Sequence, residues 1–271
     1  MPGHDVQRLT LFAKGNVDVR DTLVAQRLGS AVAWNGINEI LRERSVPCSI
    51  RVRHETFTRS DSLARATGEV PRELAERSLA LGPYPAASQF SAALYAGGAD
   101  AYVLSIQADV FMNMLRHRRD GYLLFAHGWT QSWPQDDQAW ARECFDPLGQ
   151  IDVDTSMDNL SRVVARIREN SDAPVLLYNV CSVMPGDTVH CYAGVGETYS
   201  TRARRFNLAL AELSARTGIS IVDVDRVLAR AGADLMTIDP IHFTVAGCRA
   251  VAEEVVRILA DLSLLPAEAC L

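Results

Sequence analysis

Asp239-Pro240-Ile241-His242 runs directly into Phe243-Thr244-Val245-Ala246-Gly247 and an amphipathic stretch, so a carboxylate stands three residues ahead of an imidazole at a loop-to-helix junction. An aspartate that accepts the Nδ1 proton fixes the tautomer and leaves Nε2 free to take a proton from a nucleophile, which is the orienting half of a hydrolytic triad. Asp239 and His242 are therefore the first candidate catalytic pair. The nucleophile they would serve must come from elsewhere in the chain.

The elements that would position such a pair alternate. Residues 9–13, 50–55, 101–106, 174–179 and 220–224 are short apolar or alternating runs that read as strands. Apolar residues at three- and four-residue spacing predict helices over 22–44, 86–95, 157–169, 201–217 and 245–262. That order predicts right-handed crossovers and a three-layer α/β/α domain with a five-stranded parallel sheet, its site beyond the carboxyl ends of the strands. Residues 110–150, with Trp129, Trp133 and Trp140, are too long for a plain connection and are expected to form a partly helical cap over the site. Residues 180–200 are a second long loop. No repeat, low-complexity tract or linker divides the chain, so residues 1–271 are expected to form one domain.

Composition narrows the partners. The net charge of −6 gives no electrostatic footprint for nucleic acid or an anionic membrane, which leaves a small-molecule substrate as the expected partner and a homodimer open. Met1-Pro2-Gly3-His4-Asp5 carries neither a basic n-region nor an apolar h-region. No stretch approaches the roughly 18 apolar residues that span a bilayer, and a cytoplasmic location is expected. Cys48, Cys144, Cys181, Cys191, Cys248 and Cys270 show no C-x-x-C spacing, so neither a zinc site nor a disulfide framework is suggested. No metal and no other cofactor is expected.

The arrangement resembles the SGNH/GDSL hydrolase superfamily, whose members carry Gly-Asp-Ser after the first strand, a glycine in a second block, Gly-x-Asn in a third and Asp-x-x-His before the last helix. Asp239 and His242 fall on the last block, followed by Thr244 and Gly247. The resemblance implies a flavodoxin-like α/β fold and a hydrolase or acyltransferase acting on an ester, thioester or amide of a small molecule.

The other blocks depart from the pattern. Where Gly-Asp-Ser is expected the chain reads Gly15-Asn16-Val17, and valine has no atom that attacks a carbonyl. Arg20-Asp21-Thr22-Leu23 is similar to the Gly-Asp-Ser-Leu string and keeps a hydroxyl, which makes Thr22 the leading nucleophile candidate; the alternative is that Asp21 caps a helix that Thr22 merely begins. The third block appears as Gln107-Ala108-Asp109, where an ionised aspartate accepts but cannot donate to an oxyanion. Asp109 is then protonated by burial, holds a cationic group of the substrate, pairs with Lys14 or a cap arginine, or only caps the next turn. Gly82 is the weak match to the second block.

Gly15, Asn16, Asp18, Asp109, Asn179 and Lys14 complete the expected oxyanion and substrate-binding side. Lys14 is the only lysine among 27 basic residues and stands at the end of the first strand. Residues 51–61 set basic and polar groups after the second strand, as a solvated loop or an anion-binding rim. Arg202, Arg204 and Arg205 read as a helix face paired with acidic neighbours, with anion binding together with Glu197-Thr198-Tyr199 as the alternative. His190-Cys191 is adjacent in sequence, but neighbours on an extended segment point opposite ways. Two functions follow: an acyl- or ester-processing enzyme with His242 as base, Asp239 as orienter and Thr22 as nucleophile, or a non-hydrolytic biosynthetic enzyme or binding protein without a covalent intermediate.

Overall fold

The structure, a computed structural model, describes residues 6–56, 58–126, 128–266 and 269; the readings made on residues 1–5, on Phe57 and on Cys270 lie outside the described residues. The chain enters β1 (Gln7–Gly15) and turns at Asn16 into α1 (Val17–Leu23). An antiparallel hairpin of β2 (Gln26–Leu28) and β3 (Ala31–Trp34) leads to α2 (Ile37–Glu43) and β4 (Cys48–Thr56). Three short helices, α3 (Ser60–Ala64), α4 (Arg72–Arg77) and α5 (Ala86–Phe90), precede β5 (Ala101–Ser105) and α6 (Gln107–Phe111). Then come β6 (Met114–His117), β7 (Leu123–Leu124), α7 (Gln135–Cys144) and β8 (Phe145–Leu148), whose strands form an antiparallel sheet in the order β7-β6-β8. The remainder is α8 (Val153–Arg168), β9 (Val175–Tyr178), α9 (Tyr199–Thr217), β10 (Ser220–Val222), α10 (Val224–Ala231), α11 (Ala233–Met236) and α12 (Val245–Asp261).

The five strands read from the sequence are the five of the central sheet, all parallel, in the order β10-β9-β5-β1-β4. The first strand is internal and the chain winds away from it in both directions, so the switch in winding falls between β1 and β5, where a crevice opens at the carboxyl ends. Both faces are covered. Leu9, Leu11 and Ala13 of β1 pack with Val251 and Val255 of α12, while Phe12 on the opposite face packs with Leu63, Leu160 and Phe206 from α3, α8 and α9. No described helix is long and apolar enough to cross a membrane.

The single helix expected over 22–44 is overturned. Gly36 has φ +76, and a Cβ there would lie 2.3 Å from the Val24 carbonyl oxygen, so the chain doubles back onto the end of α1 through the hairpin instead of continuing as helix. Two further glycines set close approaches. A Cβ on Gly15 would stand 2.4 Å from Val19 Cγ2, and one on Gly247 would stand 2.3 Å from the Met236 carbonyl oxygen. The first lets α1 fold tightly off β1; the second seats α12 against the segment that leads into Asp239.

Residues 112–150 fold as the small sheet with α7 and pack on the 69–90 segment through Leu74, Leu81, Phe90, Trp133, Trp140 and Phe145. Trp133 Nε1–H donates to the Ala80 carbonyl at 2.7 Å, and Arg77 pairs with Asp137 at 2.8 Å. Two buried arginines close the stem of this excursion. Arg59, 1% exposed, donates from one guanidinium nitrogen to the carbonyls of both Met112 and Gly149. Arg202, 6% exposed, donates to Asp109, Val110 and Ile151 carbonyls and pairs with Glu197. The helix-face reading of 202–205 thus holds for the Glu197 pairing of Arg202 and Arg205, while Arg202 does more than line a face.

Candidate functional site

The segment before α12 is pinned at both ends. Thr237 and Phe243 form an isolated antiparallel bridge, Ile238 N–H donates to the His242 carbonyl at 2.8 Å, and Thr244 caps α12 by accepting from Gly247 N–H. Inside this closed loop Asp239 Oδ1 accepts the backbone N–H groups of Ile241 and His242, both at 2.8 Å, which aims the carboxylate at the ring. His242 Nδ1 lies 2.9 and 2.8 Å from the two carboxylate oxygens. Desolvation alone would raise the Asp239 carboxyl, but the hydrogen bonds from Ile241 and His242 outweigh it and hold it below the usual carboxylate range. Nε2 of His242 has no hydrogen-bond partner among the described residues, and the side chain is 47% exposed.

Gln107 fastens this loop to the crevice: its Nε2 donates to the Ile241 carbonyl at 3.0 Å, and its own N–H donates to Ser105 Oγ at 3.0 Å. Ser105 in turn donates to Asp18 of α1. The chain of contacts therefore runs from the imidazole loop through the end of β5 to the first turn after β1. In the third block it is thus Gln107, at the glycine position, that reaches the histidine loop.

Thr22 is not available as a nucleophile. It is fully buried, and its hydroxyl donates back along α1 to the Asp18 carbonyl at 2.7 Å and contacts Tyr178 Oη at 3.1 Å. Helix α1 begins at Val17 rather than at Thr22, so Thr22 occupies the last turn with its side chain turned into the sheet. Asp18, one turn earlier on the same face, is 3% exposed, and burial pushes its carboxyl up to about 6 against the pull of the Ser105 hydrogen bond. Both are buried against the sheet.

Asp109 points away from the crevice as well. It is fully buried, accepting Ser60 N–H at 2.7 Å and the Ser156 hydroxyl, so it ties α6 to α3 and α8. Lys14 is 1% exposed and pairs with Glu55 at 2.8 Å, also donating to the Ser88 carbonyl at 2.9 Å; desolvation lowers its pKa despite that partner. Asn179 donates to Asp223 at 2.8 Å and accepts Asp225 N–H at 3.1 Å, holding the start of α10. Buried frameworks claim all three.

Asn16 and Val17 do reach a pocket, whereas Gly15 is buried behind it. A cavity of about 230 Å³ is lined by Asn16, Val17, Arg20, His54, Thr56 and Tyr84. Val17 stands at the first-block serine position, half-buried. His54, kept neutral by burial, has its Nε2 2.9 Å from the Gly15 carbonyl and so donates to it. The side-chain nitrogen of Asn16 meets only the Met112 thioether at 3.6 Å, a weak acceptor, and Asn16 Oδ1 has no partner among the described residues. Tyr84 packs edge-on against Phe125, which joins the 112–150 excursion to the pocket wall. The sequence flagged His54 only within a polar run; the parallel register that sets it opposite Ala13, one side-chain length from the Gly15 carbonyl, was the missing signal.

Burial of Asp109 has a measurable consequence. Its carboxyl rises from 3.8 to about 6 on folding, mainly by desolvation, so between those values the folded state holds more protons than the unfolded one. Stability is therefore greatest below the lower value and falls as pH rises through the upper one. Asp109→Asn keeps an acceptor for Ser60 and offers a donor to Ser156; it is expected to remove this slope and to gain up to about 3 kcal/mol on the parent at pH 7. Denaturant midpoints from pH 4 to 7 for the two proteins test this, and parallel curves would refute it.

No protein-family model matches the chain, and no curated protein matches it. Among solved structures, an acetylxylan esterase from Geobacillus stearothermophilus superposes with a TM-score of 0.51 at 14% identity, over 94% of this chain and 95% of that one. A mutant of an acetyl-xylooligosaccharide esterase from Geobacillus gives 0.52, also at 14% identity, over 94% and 95% of the two chains. A member of the lipolytic G-D-S-L family from Veillonella parvula gives 0.49 at 11% identity, over 93% and 98%. At such identities the likeness is one of fold: the chain has the three-layer SGNH-type architecture.

Proposed function

We propose that this SGNH-fold chain is a hydrolase or acyltransferase of small acyl esters, thioesters or amides in which His242, oriented by Asp239, acts directly on the attacking water or acceptor hydroxyl, with no covalent intermediate on the protein. The observation that carries this reading is the asymmetry of the site: the imidazole is held at Nδ1 by both Asp239 oxygens with Nε2 free, while Val17 replaces the serine and the Thr22 hydroxyl is sealed in the core.

In the reaction, His242 Nε2 takes the proton of the attacking oxygen as its lone pair forms the bond to the acyl carbon. Asp239 stabilises the imidazolium. The tetrahedral intermediate then collapses, the bond to the leaving oxygen, sulfur or nitrogen breaks, and Nε2 returns the proton to that atom. Asn16 is the side-chain amide nearest the first-block position; turning its N–H from the thioether to the developing oxyanion exchanges a weak acceptor for a charged one. The cavity beside Val17, which His242 and Asp239 do not line, is the proposed seat of a short acyl group, and acetylated sugars are the natural first substrates, given the esterases that share the fold.

Steady-state turnover of short p-nitrophenyl esters and acetylated sugars, run beside fluorophosphonate labelling, tests the reading. Turnover is expected without a covalent adduct, and Thr22→Val is expected to retain turnover within about threefold, because its hydroxyl contacts only the core. An adduct on any side chain, or loss of turnover in a stably folded Thr22→Val protein, would exclude the non-covalent route.

A further inference from the structure

The 112–150 excursion and α4 bring together a set of side chains that the acyl chemistry does not use. Glu73 of α4, His117 at the end of β6 and Cys144 at the end of α7 each offer one ligand atom, and these atoms lie within 4.8 Å of one another. They are far apart in sequence, so no ligand spacing announces them.

The surroundings hold each side chain in place. His117 is 3% exposed, stacked on Tyr122 with ring centroids 4.5 Å apart and met edge-on by Phe145. Its Nε2 faces Glu73 Oε2 at 3.7 Å, while Glu73 Oε1 accepts the Trp140 indole N–H, so the carboxylate is fixed with one oxygen turned to the ring. On the far side of the ring, Asp120 N–H donates to Nδ1 at 3.1 Å and an Asp120 carboxylate oxygen lies 3.3 Å from the same atom. Arg119, 76% exposed, approaches Glu73 Oε2 from solvent at 3.6 Å and pairs with both carboxylate oxygens of Asp120, at 3.0 and 3.1 Å.

We infer that Glu73, His117 and Cys144 form a binding site for a thiophilic divalent cation of the zinc type, which staples the excursion to α4. Thiolate, imidazole and carboxylate are the three donor classes zinc takes in tetrahedral sites, and donors at zinc bond lengths stand roughly 3.3 to 3.8 Å apart. A nitrogen–oxygen pair sits at the short end of that range, so the Nε2–Oε2 separation of 3.7 Å must close by a few tenths of an ångström, and small turns of the Glu73 and Cys144 side chains complete the set. Binding at Nε2 shifts the ring proton to Nδ1; the bond that Nδ1 now accepts from Asp120 N–H is given up, and the Asp120 carboxylate oxygen 3.3 Å away takes over as the acceptor of the Nδ1 proton, the support that zinc-ligating histidines ordinarily have. The Cys144 thiol releases its proton to solvent as the sulfur–metal bond forms. The site is separate from the acyl site, so it stands or falls independently of that proposal.

Titration of the chelator-treated full chain with Zn2+ and with Co2+ tests this. One equivalent of Zn2+ is expected to bind and to raise the melting temperature, and Co2+ is expected to give the sulfur-to-cobalt charge-transfer absorption of a thiolate site. Cys144→Ser should abolish that absorption and weaken Zn2+ binding by roughly tenfold or more. Cys191→Ser should change neither, which separates the site from adventitious binding at exposed His190-Cys191. Absence of the charge-transfer band in the parent would overturn the proposal, as would its survival in Cys144→Ser or its loss in Cys191→Ser.

Discussion

His242→Ala is expected to lower kcat/KM about 10²- to 10⁴-fold, the usual contribution of a positioned general base, with a melting temperature near that of the parent. The ring is 47% exposed and its side-chain hydrogen bonds are those to Asp239, so its removal costs little packing. Asp239→Asn should fall almost as far. An amide oxygen still accepts from Ile241 and His242 N–H, but the amide N–H₂ turned to Nδ1 forces the ring proton onto Nε2, where it blocks the base. Because the two act as a unit, the double variant should be no slower than the worse single one. Steady-state kinetics on whichever acyl ester the parent turns over checks this; a His242→Ala enzyme with parental kcat/KM would remove the dyad from the mechanism.

Arg202→Met is expected to destabilise the fold by about 3 to 5 kcal/mol, as breaking a buried, fully engaged charge does. Its guanidinium satisfies carbonyls of Asp109, Val110 and Ile151, pairs with Glu197 and covers the Phe206 ring at 4.7 Å. Methionine refills much of the volume but leaves those carbonyls without a donor in a dry site. Lysine should rescue only a small part, since a single ammonium cannot span a planar fork of contacts. Chemical denaturation decides it: a loss under about 1 kcal/mol would mean that solvent reaches those carbonyls and the clamp is dispensable.

Local pattern was enough for the sheet and for the imidazole pair. Five apolar runs separated by helical periods leave few alternatives to a parallel sheet, and Asp239 with His242 interact across three residues of one loop. The hairpin of Gln26–Leu28 and Ala31–Trp34 was hidden because its apolar residues fall at three- and four-residue spacing by accident of the turn, although Asn35, Gly36 and Asn38 are residues that a free helix disfavours. Thr22 was misjudged through the helix start: with α1 opening at Val17, its hydroxyl shares a face with Asp18 and turns inward. For Asp109 the sequence offered protonation by burial as one alternative, in line with its raised carboxyl, but not its partners. Its partners Ser60 and Ser156 lie on helices that meet it only after the chain has crossed the sheet, and the same holds for Glu73, His117 and Cys144.

The stem of the 112–150 excursion carries a wider consequence. One guanidinium nitrogen of Arg59 reaches the carbonyls of Met112 and Gly149, so the chain leaves the scaffold and rejoins it at nearly the same point. For a segment anchored this way the closure entropy changes only slowly with length, by about 0.6 kcal/mol per doubling. The length of this segment can therefore change without rethreading the sheet, and any such change reaches the wall of the cavity beside Val17 through the contact of Phe125 with Tyr84.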